Sequence, residues 1–136
     1  DHINMTGKNC LIGDAKEYGE SLFIDMGNCY DKEWREQILK KEDTISGVYA
    51  GLMGPNYETT AETNMINKLG ADVVGMSTVQ ETICAVHLKM KVAAISFVTN
   101  MAGGAQGGLH HQEVLDLATK HKQRLSDLLN HAIKFA

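Results

Sequence analysis

From residue 47 onward, apolar and polar positions switch between two rhythms. Val48–Met53 is a nearly unbroken apolar run between Gly47 and Gly54-Pro55, which predicts a buried strand. Thr59 and Glu62 then form the Thr-x-x-Glu signature of a helix start, and Gly70 closes that helix. Ala61, Met65, Ile66 and Leu69 mark its apolar stripe. A second short strand is expected over Asp72–Met76 and a second helix from about Val79 to Leu88. Lys91–Thr99, rich in Val, Ala, Ile and Phe, predicts a third strand.

A single long helix is expected from about His111 to Phe135, because Val114, Ala118, Leu125, Leu128, Leu129, Ala132 and Ile133 recur at helical spacing. The first 46 residues are less regular. A helix from about Asp31 to Lys41 follows a loop containing Gly7, Gly13, Gly19 and Gly27. Strands alternating with helices imply parallel βαβ units, hence an α/β fold with a mostly parallel, mixed sheet flanked by helices. Doubly wound folds usually have more than three strands, so residues 1–136 read as part of one such domain.

Composition narrows the class. With 136 residues and 43% apolar content the chain has material for one core. A net charge of −4 with scattered Lys and Arg argues against nucleic acid or an anionic membrane surface as partner. No run approaches the ~18 apolar residues of a membrane helix, and the polar start does not resemble a signal peptide. Three cysteines, an odd number without metal-ligand spacing, alongside seven methionines, suggest a reduced cytoplasmic setting and no metal site. The chain begins at Asp1, which suggests a fragment or a processed chain.

The chemistry is expected at strand ends, where α/β proteins bind ligands. Glu58 follows Pro55 and Tyr57 at such an end; a carboxylate there accepts N–H donors, although a first-turn glutamate favoured by the helix dipole has the same sequence signature. Tyr57 suits a flat heterocycle or simply a core. Asn100 ends the third expected strand, and its amide donates and accepts at adjacent atoms, although asparagine also terminates strands as a turn residue. Ser77 and Thr78 either cap the second helix or help hold a phosphate there. His111, at a helix start where the dipole disfavours protonation, is either a surface histidine or a partner for a hydroxyl. Gly103–Gly108 lacks the Gly-Lys-Ser/Thr of a phosphate loop and reads as a mobile lid.

These segments closely resemble the trimeric, low-molecular-mass purine nucleoside phosphorylases. The likeness rests on Asp1-His2-Ile3-Asn4, Gly54-Pro55-Asn56-Tyr57-Glu58-Thr59, Leu69-Gly70-Ala71-Asp72, Val74-Gly75-Met76-Ser77-Thr78-Val79, Thr99-Asn100 and His111-Gln112-Glu113-Val114. In order along the chain, they correspond to roughly the C-terminal half of such an enzyme. The resemblance implies phosphorolysis of inosine or guanosine to a free purine and ribose 1-phosphate, with orthophosphate as co-substrate and no other cofactor.

By matching position, Asn100 would bond N7 and O6 of the base, and Glu58 would accept from N1–H and the guanine 2-amino group. Tyr57, Val74 and Gly75 would pack on the ring. Met76 would contact ribose, Ser77 phosphate and His111 the 5′-hydroxyl. Phe23 matches a phenylalanine that family members insert into a neighbouring subunit, so a homotrimer is implied. Asn rather than an acid at position 100 favours 6-oxopurines over the adenines taken by methylthioadenosine phosphorylases. The family usually shows Pro after Ser-Thr-Val and Arg before His, where this chain has Gln80 and Val86. The family's N-terminal phosphate-binding loop has no counterpart in these 136 residues. The alternative readings are a catalytically incompetent purine-binding or oligomerising domain, or a methylthioadenosine phosphorylase-like relative.

Overall fold

In the computed structural model the described residues are 1–13, 22–41, 43–103 and 111–135; at 111 and 113 the description stops at the backbone. Three strands, β1 (His2–Asn4), β2 (Tyr49–Gly51) and β3 (Val73–Gly75), form a parallel sheet in that order. The register pairs Ile3 with Ala50 and Ala50 with Val74. Backbone bonds extend the ladder at both ends: Tyr49 N–H to the Asp1 carbonyl at 2.9 Å, and Leu52 N–H to that of Gly75 at 2.8 Å. At the strand starts, the Asp72 carboxylate accepts from Val48 N–H at 2.7 Å.

The helices are α1 (Lys32–Ile38), α2 (Thr60–Lys68), α3 (Val79–His87), α4 (His111–Lys120) and α5 (Lys122–Ala132), followed by a 3-10 turn at Ile133–Phe135. Successive strand side chains point to opposite faces, and β2 uses both. Tyr49 packs with Val79 and Ile83 of α3 on one face; Ala50 packs with Ile66 of α2 and with Ala71 on the other. The sheet therefore carries a helix on each side, as the βαβ pattern predicts. Elsewhere, α1 and α5 are joined by Trp34 Nε1 donating to the Ala132 carbonyl at 2.6 Å, with His131 Nε2 3.0 Å from the Gln37 carbonyl.

At Gly51, β2 lies close against the start of α3. A Cβ built there would overlap Val79 Cγ2 and lie 3.2 Å from Val79 Cβ. Val79 is completely buried, so the glycine sets how near the helix start approaches the strand end.

Three sequence expectations change. First, β1 was not foreseen: three residues with one aliphatic side chain carry no periodicity, and their pairing partner lies more than 40 residues away. Second, 91–99 forms no strand ladder. Its side chains alternate between half-buried and exposed from 94 to 99, as in a strand, but the segment has no ladder partners among the described residues. Third, the long terminal helix kinks at His121, which leaves helical geometry at φ −103° and ψ 13° while its ring packs 5.4 Å from that of Phe97. Bonds from His121 N–H to the Leu117 carbonyl and from Leu125 N–H to the His121 carbonyl carry the helix through the kink.

Along the free edge of β3 lies a cavity of about 1070 Å³. Tyr49, Val73, Thr78, Leu128 and residues 93–98 contribute to its walls. Packed interiors leave few voids larger than a water molecule. No helix among the described residues is long and apolar enough to cross a membrane.

Candidate functional site

Parallel strands bring all their C-terminal ends to one rim. β2 leaves the sheet through Leu52 and Met53 into Gly54, whose φ of +67° and cis peptide to Pro55 turn the chain sharply. A side chain at Gly54 would strike the Met76 thioether, so the loop from Gly54 to Glu58 lies directly against the end of β3. Tyr57 in that loop is 39% exposed, and Glu58 is half-buried.

Helix α2 begins one residue after Thr59, which makes the full reciprocal cap expected from sequence. Thr59 N–H donates to Glu62 Oε2 at 2.7 Å, and Glu62 N–H donates to Thr59 Oγ1 at 3.2 Å. The Thr59 backbone and hydroxyl bonds hold the Glu62 carboxyl below its usual range. Glu62 thus satisfies the helix end, and Glu58, one residue before the cap, is not engaged in it. Glu58 thus lies just outside the first turn, still beside the helix start whose dipole favours a carboxylate.

Asn100 is half-buried at the end of the 91–99 segment. Thr99 Oγ1 donates to its Oδ1 at 2.7 Å, and its Nδ2 donates to the Met101 carbonyl at 3.2 Å. A primary amide has two N–H donors and two acceptor lone pairs, so one of each is left over. The chain just beyond docks on the start of α2, where Thr60 Oγ1 donates to the Gly103 carbonyl at 3.4 Å. In sequence, Glu58 lies two residues before Thr60 and Asn100 three before Gly103, the two ends of that contact.

At the third strand end, the Val79 N–H donates to the Ser77 carbonyl at 2.7 Å across Thr78, which sits at φ 72° and ψ −52°. These are the values of a γ-turn, a strained conformation for a β-branched residue. Thr78 occupies the N-cap position of α3 but makes no side-chain cap bond. The capping role that the sequence allowed for Ser77 or Thr78 is therefore not taken by Thr78, and the start of α3 keeps N–H donors for another acceptor. Ser77 is exposed; its N–H donates to the Tyr49 hydroxyl at 3.2 Å, and its Oγ lies 3.4 Å from the same oxygen.

Tyr49 is the residue that sequence reasoning missed at this rim. It reads only as part of an apolar run, yet a buried tyrosine needs a partner for its hydroxyl. That hydroxyl passes over Gly75, where a Cβ would collide with it, and ends at Ser77. Gln80 also has a place: its Nε2 donates to Thr6 Oγ1 at 3.1 Å and to the Lys8 carbonyl at 3.0 Å, tying the loop after β1 to α3.

Met76 meets the turn at Gly54, and Ser77 meets the Tyr49 hydroxyl at the end of β3; Tyr57 and Glu58 follow the first turn in sequence, and Asn100 precedes the Gly103 contact with Thr60. Phe23 is 92% exposed and belongs to neither core cluster. His111 opens α4, but its side chain lies outside the described residues, as does the expected lid apart from Gly103. Among the described residues, the large cavity touches this rim through Tyr49 and Thr78.

Known proteins resemble this chain in sequence and backbone. Residues 1–134 match the Phosphorylase superfamily. The chain is 43% identical over 135 residues to the purine nucleoside phosphorylase of Mycobacterium tuberculosis, covering 98% of this chain and 48% of that protein. It is 40% identical over 128 residues to purine nucleoside phosphorylase 1 of Bacillus subtilis, covering 90% and 47%. Isoform 2 of the Schistosoma mansoni purine nucleoside phosphorylase, solved with cytosine and ribose-1-phosphate, superposes with a TM-score of 0.87 at 37% identity, over 97% of this chain and 51% of that one. A Schistosoma enzyme solved with hypoxanthine gives 0.86 at 32% identity, over 98% and 52%. The chain spans about half the length of the relatives it matches. Matched over nearly all of its own residues in both sequence and backbone, it belongs to the Phosphorylase superfamily.

Proposed function

We propose that this chain carries the purine-recognising half of a purine nucleoside phosphorylase acting on inosine or guanosine, with orthophosphate as co-substrate and no other cofactor. The observation that supports the reading is that Glu58 is left out of the helix cap and Asn100 keeps a spare donor and acceptor, each a few residues from the Thr60–Gly103 contact at the start of α2. In this reading Glu58 accepts from N1–H and the 2-amino group of the base. Asn100 donates to the N7 and O6 edge, where negative charge accumulates as the glycosidic bond breaks. Donors preorganised toward developing charge are the usual source of such rate enhancement. An amide also donates to O6, whereas an ionised carboxylate would repel it.

Tyr57, Val74 and Gly75 form the wall for the ring, Met76 meets the ribose, and Ser77 with the uncapped start of α3 takes phosphate. His111 is assigned to the 5′-hydroxyl. Full exposure of the Phe23 ring supports its insertion into a neighbouring subunit of a homotrimer in a cytoplasmic enzyme. The large void beside β3, in a chain half as long as its relatives, supports completion of the domain by further polypeptide.

Two measurements test the reading. Inosine phosphorolysis by these 136 residues alone is expected to be very weak or nil, and turnover near that of a full-length relative would refute the division of labour. Calorimetry should detect guanine binding that Glu58→Gln weakens about tenfold or more, the loss expected for a hydrogen bond to a charged acceptor. Unchanged binding by Glu58→Gln or Asn100→Asp overturns the assigned roles. Guanine affinity indifferent to orthophosphate would favour a purine-binding domain without phosphate chemistry.

A further inference from the structure

The loop after β1 and the middle of α3 meet through two sulfur atoms. Cys84 Sγ lies 2.6 Å from Cys10 Sγ, and Cys10 Sγ also donates to the Gln80 carbonyl at 3.4 Å. Both cysteines are half-buried thiols, neither of them in a disulfide. Their surroundings hold them in register: Gln80 clamps Thr6 and Lys8 from α3, and Cys10 and Leu11 pack against the Tyr49–Val79–Ile83 cluster. A disulfide requires sulfurs about 2.05 Å apart with aligned Cβ positions. Most cysteine pairs need backbone movement to meet that condition, whereas these sulfurs are already in contact.

From this geometry we infer that Cys10 and Cys84 form a modification site: a dithiol that exchanges with low-molecular-mass disulfides such as oxidised glutathione to give a reversible intramolecular disulfide. One protein thiolate attacks a glutathione sulfur, forming a mixed disulfide and releasing one glutathione thiolate. The other protein thiolate then displaces the second glutathione. The two protein thiols lose two electrons and two protons, which leave as two molecules of reduced glutathione. The bond links residues 74 positions apart and fastens the loop after β1 to α3, whose first residue adjoins Ser77 and Thr78. The remaining thiol, Cys29, is 6% exposed, and burial pushes its titration upward, so it contributes little thiolate. None of this depends on a purine being the ligand.

The test is exchange of the reduced chain with excess oxidised glutathione, followed by alkylation in denaturant and peptide mapping. The expected result is one alkylated cysteine, Cys29, a cross-linked peptide pair containing Cys10 and Cys84, and full recovery of thiols with dithiothreitol. A Cys29→Ser variant should form the same link, and Cys10→Ser should retain Cys84 as a thiol or a glutathione adduct. A urea-unfolded control should give mixed pairings, showing that the fold selects the pair. Three free thiols, stable glutathione adducts on both cysteines, or a link through Cys29 in the folded chain would overturn the inference.

Discussion

Replacing Gly51 with alanine puts a methyl group into space already held by Val79, and the cost can be worked from the contacts. The new Cβ overlaps Val79 Cγ2, lies 3.2 Å from Val79 Cβ and 3.7 Å from Thr6 Cγ2. Forcing extra carbon into a packed core costs about 1–3 kcal/mol, partly offset by the ~0.5–1 kcal/mol that alanine saves in chain entropy over glycine. A net loss of about 1–2 kcal/mol is expected for Gly51→Ala. Val79 is 0% exposed, so Val79→Ala forfeits about 1.6 kcal/mol of transfer energy and, with the void left behind, about 2.5 kcal/mol altogether.

The double variant tests whether those two groups share one space. Removing Cγ2 clears the overlap, and the Gly51→Ala methyl then fills part of the void, leaving only the tight 3.2 Å contact to relieve. The pair should therefore destabilise by roughly 2 kcal/mol rather than the ~4 kcal/mol of simple addition, a coupling of about 2 kcal/mol. Urea unfolding followed by far-ultraviolet circular dichroism measures each corner of the cycle, with equal slopes required so that only stability changes. A coupling below about 0.5 kcal/mol would refute the reasoning, because independent sites add to within that margin.

Thr59→Ala removes one side of the α2 cap and should cost about 1 kcal/mol in the same assay; no loss would mean that the cap contributes nothing to the fold. His2 gives a pH dependence. Burial, followed by the charge of the nearby amino terminus, lowers its pKa, and its Nδ1 is 2.8 Å from the Tyr30 hydroxyl. A depressed value means that the unfolded chain takes up the proton first, so the contribution is intact above about pH 6.5 and fades as pH falls through the folded value. Stability should accordingly decline below pH 6.5, and His2→Gln should flatten that decline; an unchanged pH profile would count against the assignment.

Much of the fold was legible where local chemistry and tertiary structure agree. The capping box at Thr59, the run ahead of Gly54 and the Gly70 stop each specify their element without reference to distant residues. β1 was hidden because three residues pair in parallel with a strand far along the chain, and that pairing leaves no local trace. The 91–99 segment shows the opposite error: strand-like composition reports a half-buried chain, and pairing is a separate matter. At the site, Glu58 and Asn100 could be singled out as polar groups at apolar strand ends. Tyr49 could not, since its hydroxyl becomes informative only once the neighbouring strand places Ser77 beside it. The γ-turn at Thr78 was likewise invisible, because nothing in Met-Ser-Thr-Val demands it.

Because β1, β2 and β3 all run the same way, the molecule has a pole of strand ends, where the proposed chemistry would sit, and a quiet pole of strand starts. Asp1, Gly47 and the Asp72–Val48 bond sit at the quiet pole, and the Asp1 amine donates to the Gly47 carbonyl there at 3.2 Å. A fluorophore or surface tether attached at residue 1 would emerge on that side, at the cost of the bond to Gly47. Such a label would stand at the far end of the strands from Gly54 and Ser77, and would report on a binding measurement without crowding them.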